Sequence, residues 1–100
     1  MMEIIRSRKY QIRLLNILQY IAEDKISASR KFQKELDVLI DHIPDFPYKN
    51  RQSIYFDIQN TRDLIYKKYT IIYEINLENN SIEILDIFNQ NKPVLSIFNS

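Results

Sequence analysis

Between residues 69 and 88 the chain spells out a β-hairpin, and that pattern governs what the remaining residues can do. Tyr69, Ile71, Tyr73 and Ile75 alternate with Thr70, Ile72 and Glu74, the two-residue period of a strand with two distinct faces. Asn79-Asn80 follows as a turn, and Ile82 to Phe88 returns as a second strand rich in β-branched residues. Upstream, Arg62-Asp63-Leu64-Ile65-Tyr66 reads as a further strand reversing at Lys67-Lys68. Ile54 to Ile58 is apolar enough for another strand or an ordered loop. A sheet built this way carries an apolar face that other elements must cover.

Two amphipathic segments can cover it. From Arg8 to Glu23, Tyr10, Leu14, Ile17, Leu18 and Ile21 recur every three or four residues, as on one face of a helix. Asp24-Lys25-Ile26 is a tight connection, and Ser27 can cap a second helix whose buried stripe reads Ala28, Phe32, Leu36, Leu39, Ile40 and Ile43. Pro44 and Pro47 end it. With Glu3-Ile4-Ile5 as an opening strand, the expected class is α+β in the order β-α-α-β-β-β. A helical hairpin then packs on one face of a small antiparallel-rich sheet. One hundred residues with 45% hydrophobic content make one core, so residues 1–100 are expected to be a single domain. The tail from Lys92 to Ser100 is expected to add an edge strand or a flap.

Composition removes several kinds of chemistry. There is no glycine, so turns fall to Asn, Asp, Lys and Pro, and the glycine-rich cradles of nucleotide sites are missing. There is no cysteine, and one histidine, His42, cannot build a metal cluster, so neither metal nor small-molecule cofactor is expected. No apolar run approaches the roughly 20 residues of a membrane span, and the start lacks a signal-like segment, so a cytoplasmic protein without membrane association is expected. The charge is uneven. Residues 1–34 hold eight Lys/Arg against three acids, and residues 35–100 hold six against ten. That suits an anionic partner at one edge but gives too weak an overall field to grip long stretches of phosphate backbone.

The run Arg62-Asp63-Leu64-Ile65-Tyr66-Lys67-Lys68-Tyr69-Thr70-Ile71-Ile72-Tyr73-Glu74-Ile75, with Ile82-Glu83-Ile84-Leu85-Asp86-Ile87-Phe88 behind it, resembles the central strands of the RelE/ParE superfamily of toxins. Ala28-Ser29-Arg30-Lys31-Phe32 and Phe46-Pro47 are similar to the family's second helix and the loop after it. The resemblance implies the toxin of a type II toxin-antitoxin module, a plasmid-stabilisation or stress system, with an antitoxin protein as partner. Its target would be DNA gyrase in ParE-like members, or the ribosome and its mRNA in RelE-like endoribonucleases. RNA cleavage of the latter kind needs a base for the 2′-hydroxyl, cations for the developing charge and an acid for the leaving oxygen. Arg62 matches the family's strand arginine, yet Thr70 stands where an arginine is common. Asn89-Gln90-Asn91-Lys92 leaves Lys92 alone where relatives carry a His or Arg pair. The ParE-like, protein-binding reading is therefore favoured over the enzyme. If the chain is RelE-like, the resemblance nominates Arg62 and Lys92 as catalytic, with Arg51, Lys67, Lys68 and Tyr69 secondary.

Each of these residues also has a plainer reading. Arg62, expected on the open face of the sheet, can pair with Asp63, Asp57 or Asp86, and Lys67-Lys68 can be a solvated turn. Arg51 and Lys49 are expected in the loop before the sheet. Tyr69 and Tyr73 can stack on a base or pack in the core, and His42 can cap the second helix. Arg6, Arg8, Lys9 and Arg13 form a basic cluster at a helix start, where cations oppose the dipole. Arg6 and Arg13, with Ile12, Leu15 and Tyr20 lying off the main apolar stripe, are the candidate antitoxin contacts.

Overall fold

The computed structural model of the chain describes residues 1–55 and 60–90. In order these form β1 (Glu3–Arg6), α1 (Arg8–Asp24), α2 (Ile26–Asp41), a 3-10 turn at Ile43–Asp45, β2 (Arg51–Gln52), β3 (Thr61–Tyr66), β4 (Tyr69–Asn76) and β5 (Ser81–Asn89). The expected β-α-α-β-β-β architecture forms with one further short strand, β2, so that two helices pack on a five-stranded mixed sheet ordered β1-β5-β4-β3-β2. All pairings are antiparallel except β1 with β5, which run parallel. The helical hairpin carries the chain from β1 at one edge of the sheet to β2 at the other, and the antiparallel run β2 to β5 brings β5 back beside β1.

The hairpin of helices is joined by one residue. Lys25 is extended, its N–H closing α1 on Ile21 O at 3.0 Å while its carbonyl accepts from Ser29 N at 3.3 Å to open α2. So short a joint places Ser27 inside the first turn of α2, and the expectation that it caps the helix is corrected: no side chain caps α2. Ser7 does cap α1, accepting from Tyr10 N at 3.1 Å and donating its own hydroxyl proton to Leu85 O of β5 at 2.8 Å. The buried stripe of α2 is Ser29, Phe32, Leu36 and Ile40. Ala28 and Leu39, expected there, are exposed. Ser29 takes the place because its hydroxyl donates to Leu18 O at 2.7 Å, a bond that lets the two helices approach closely.

Helix and sheet faces merge into one core of Tyr10, Leu14, Leu18, Phe32, Leu36, Ile40, Ile43, Leu64, Ile71, Tyr73, Ile75, Ile82, Ile84 and Ile87. Ile72 and Phe88 form a smaller cluster with Tyr55 and Leu85. Without glycine, the two tight turns rest on left-handed residues that carry a Cβ: Lys67 at φ 53° and Asn80 at φ 51°. Asparagine tolerates that region; lysine does so at some strain. Of the stretch Ile54 to Ile58, read as a strand or an ordered loop, residues 54 and 55 form a bend and the rest lies outside the described residues. The pairing strand is Arg51–Gln52, opposite Asp63 and Arg62, so Arg51 starts a strand rather than lying in the loop before the sheet. Residues 56–59 and the tail at 91–100, including Lys92, lie outside the described residues.

Burial perturbs the tyrosines that tie these layers together. Tyr10, fully buried, is pushed up to about 12 by desolvation and then by Asp37, with Arg6 acting against the shift. Tyr66 is also pushed up to about 12, by burial and by its hydrogen bond to Glu35, while burial raises Tyr73 and Tyr69. A folded-state value above the unfolded one means that the native state keeps its phenolic protons longer. The associated stability is whole below pH about 10 and is lost as pH rises through about 12. Thermal unfolding followed from pH about 9 to about 11.5 should show a midpoint falling steeply at the alkaline end, and Tyr10→Phe should flatten that fall. An unchanged slope in the variant would count against this account.

Candidate partner-binding groove

A groove of about 560 Å3 opens between α1 and the far end of the β4–β5 hairpin, lined by Arg13, Asn16, Ile17, Tyr20, Tyr69, Ile87, Phe88 and Asn89. The helical period creates its near wall. Tyr10, Leu14 and Leu18 point into the core, so residues 13, 16, 17 and 20 fall on the flank facing the sheet edge. Tyr69 forms part of the far wall, held edge-on against Phe32 with ring centroids 5.3 Å apart. Tyr20 stands 72% exposed at the mouth, and its proximity adds to the upward shift of Tyr69 after burial.

The charged end of the groove is organised by Asp86. This carboxylate is buried, with Oδ2 lying 3.4 Å from Arg13 Nη1 and 3.6 Å from Lys9 Nζ, and Oδ1 accepting from Ile87 N at 2.8 Å. The arrangement fixes Arg13 at the groove mouth. Arg6 sits elsewhere, its Nη2 atom 3.3 Å from Asp41 and 3.8 Å from Asp37 on α2. Ile12 and Leu15 are exposed at 49% and 58% on the outer face of α1, beside the groove but outside its lining.

Among the described residues, those nominated for RNA chemistry are dispersed; Lys92 lies outside them. Arg62 does not lie on the open face, as expected; it pairs across the ladder with core residue Tyr73, on the helix-facing side. There its Nη1 atom donates to Asn50 O at 3.2 Å and its guanidinium lies 5.0 Å from the Tyr48 ring centroid. The reason is strand parity. Leu64 must face the helices, and Arg62 shares its side of β3. Arg51 Nε is bound to the buried Asp63 at 3.3 Å, which also accepts from Ile54 N at 3.3 Å. Lys67 lies five residues along β3 from Arg62, roughly 16 Å at strand rise, and its ammonium is 3.9 Å from Glu35 and 5.4 Å from the Tyr66 ring centroid. Lys68 is exposed in the same turn, and Tyr69 belongs to the groove. Tyr73 is fully buried in the core, and His42 caps α2, its Nδ1 atom 3.0 Å from Asp45. Among the described residues no cluster of three His, Cys, Asp or Glu side chains is placed to hold a metal, and no helix is long and apolar enough to cross a membrane.

Of the groove lining, the sequence nominated Arg13 and Tyr20 as antitoxin contacts and Tyr69 only for RNA chemistry, and it singled out neither Asn16, Ile17, Ile87, Phe88 and Asn89 nor Asp86 as organiser. One signal was available: Asp86 is an acid inside an apolar strand run, a position that demands a partner.

The family described as ParE toxin of type II toxin-antitoxin system, parDE, has a sequence model that matches residues 4–93. The chain belongs to the ParE toxin family. Its coarse function is therefore that of a ParE-type toxin in a type II system, with an antitoxin as partner. Among solved structures, it is similar to a chain of the chromosomal ParDE toxin-antitoxin system from P. aeruginosa, with a TM-score of 0.71 at 15% identity. That alignment covers 89% of this ParE chain and 96% of the other, a likeness of fold. No curated protein matches in sequence.

Proposed function

We propose that this ParE toxin acts in the cytoplasm by binding and inhibiting DNA gyrase, and that a co-encoded antitoxin neutralises it by laying an apolar, acidic tail in the α1–β4–β5 groove. The groove carries this reading. Tyr20, Ile17 and Tyr69 supply apolar surface, and Arg13, steadied by Asp86, supplies a cation at the mouth. An extended segment with alternating apolar and acidic residues satisfies both. Ile12 and Leu15 extend the contact where such a segment crosses the outer face of α1. Arg6 is left out of it, because it does not line the groove. The dispersal of Arg51, Arg62, Lys67 and Lys68 supports a binding toxin over a ribonuclease, whose cations must converge on one phosphate.

Purified toxin is expected to block supercoiling by gyrase and to leave ribosome-bound messages intact. Co-expression with the proposed co-encoded antitoxin should restore growth. Tyr20→Asp, which places a like charge where an acidic tail would lie, should weaken capture by that protein by at least about tenfold while circular dichroism stays native. Messages cut in the ribosomal A site would replace this reading with the RelE-like one, and undiminished capture by Tyr20→Asp would remove the groove from it.

A further inference from the structure

The stretch from Phe46 to Asn50, between α2 and the sheet edge, holds aromatic side chains outward on a backbone tied down from beneath. Phe46 is 71% exposed and Tyr48 44%. Under them, the buried Tyr73 hydroxyl donates to Pro47 O at 2.7 Å and accepts from Asn50 Nδ2 at 3.1 Å. Arg62 reaches the same segment from β3, donating to Asn50 O and lying against the Tyr48 ring. Local bonds finish the shape, with Phe46 N donating to Ile43 O at 3.2 Å and Lys49 N to Phe46 O at 3.0 Å. Phe46 thus gains little from folding, yet its backbone is fixed before any partner arrives. That is the condition under which an exposed aromatic becomes a strong binding contact, because the ordering cost has been met in advance.

We propose that the Phe46–Asn50 loop is the surface with which the toxin grips its protein target. Phe46 and Tyr48 are the apolar anchors, Lys49 the cation beside them, and Tyr73, Asn50 and Arg62 the brace that positions them. The occupant is a protein surface with an apolar recess bordered by carboxylate. The loop forms a shallow recess of about 510 Å3 lined by Asp45, Phe46, Pro47, Tyr48 and Lys49, and Asp45 is already engaged by His42. A nucleic-acid strand would need several cations aimed outward together. The two nearby guanidinium groups already have partners, Arg62 turned inward to Asn50 O and Arg51, half-exposed, paired with the buried Asp63. Lys49 remains to meet a carboxylate. The surface is also distinct from the groove: Tyr73, under the loop, and Tyr69, in the groove, are four residues apart on β4, about 13 Å.

The proposal rests on the binding-toxin reading in one respect, that the target is a protein. It is tested with the full chain carrying Phe46→Ala, with the equally exposed Leu77→Ala in the β4–β5 turn as control, using purified gyrase as probe and growth arrest on induction as a second readout. Phe46→Ala should lose at least about tenfold in potency against gyrase and in growth arrest, with an unchanged thermal midpoint. Leu77→Ala should match the parent. Tyr73→Phe, which removes the brace and leaves the anchors, should also lose potency, and Tyr48→Phe should retain most of it. If the parent chain spares gyrase but arrests growth, the choice of target fails, and the loop stands on whether Phe46→Ala abolishes the arrest. Full potency of Phe46→Ala in whichever readout the parent shows overturns the proposal. So does ribosome-dependent cleavage of messages by the parent, or a parent chain that arrests nothing.

Discussion

Phe32→Ala is expected to lower the unfolding free energy by about 3–5 kcal/mol, measured by urea titration. The domain as a whole should hold roughly 5–15 kcal/mol, so this one change removes a large share of it. Phe32 is 4% exposed on the core face of α2, and its ring meets two others, Tyr66 at 5.1 Å and Tyr69 at 5.3 Å. Alanine leaves a void beside both, and neither can collapse into it. The Tyr66 hydroxyl is bound to Glu35 at 2.5 Å, and Tyr69 is held in the ladder opposite Asn89. The damage should reach the groove as well, since Phe32 is the backing for its Tyr69 wall. Phe32→Leu, which refills most of the volume, should cost less than half as much and still weaken capture of an antitoxin tail. A loss below about 1 kcal/mol for Phe32→Ala would mean that the aromatic triad contributes little beyond shape.

The parts of the fold that could be read from the chain are those in which one physical constraint acts over many consecutive residues. The β4–β5 hairpin is such a case: period-two alternation fixes the faces, and Asn80 takes the left-handed turn position that its side chain tolerates. Both helices were legible from apolar spacing, but the start of α2 was not. Its boundary depends on how abruptly α1 ends, and no local capping residue marks that point. The parallel pairing of β1 with β5 was equally hidden, because a four-residue strand carries no signal of which neighbour it will join. Arg62 is more instructive. Its parity with Leu64 was in the sequence and places it on the helix-facing side; expecting it on the open face gave weight to the charge and neglected the period. The groove joins Arg13 and Tyr20 to Tyr69 and Phe88 across some fifty residues or more, so only the sheet order β1-β5-β4, with α1 packed over it, brings them together.

Asp86→Ala should be the most damaging polar change, lowering stability by about 2–3 kcal/mol. α1 begins with Arg8 and Lys9 and has no acid in its first turn, so its N-terminal dipole meets cations instead of the anions it favours. Asp86 offsets this from the neighbouring strand, buried beneath Arg13 and Lys9 and also accepting the N–H of Ile87. Removing it leaves two cations facing each other and a backbone donor without its acceptor. The cost stays below that of a wholly buried pair because the side chains of Arg13 and Lys9 are 23% and 40% exposed and can turn toward water. Asp86→Asn should keep the acceptor for Ile87 N and lose only the charge, and so fall between the two. Amide exchange offers a local readout, since opening in Asp86→Ala should concentrate in the first turns of α1 and the end of β5. Coupling gives a second check. If Asp86 acts by holding Arg13, then Arg13→Ala should cost less in the Asp86→Ala background than in the parent chain. Additive losses would show that the carboxylate and the guanidinium act independently, and the groove mouth would then lack its organiser.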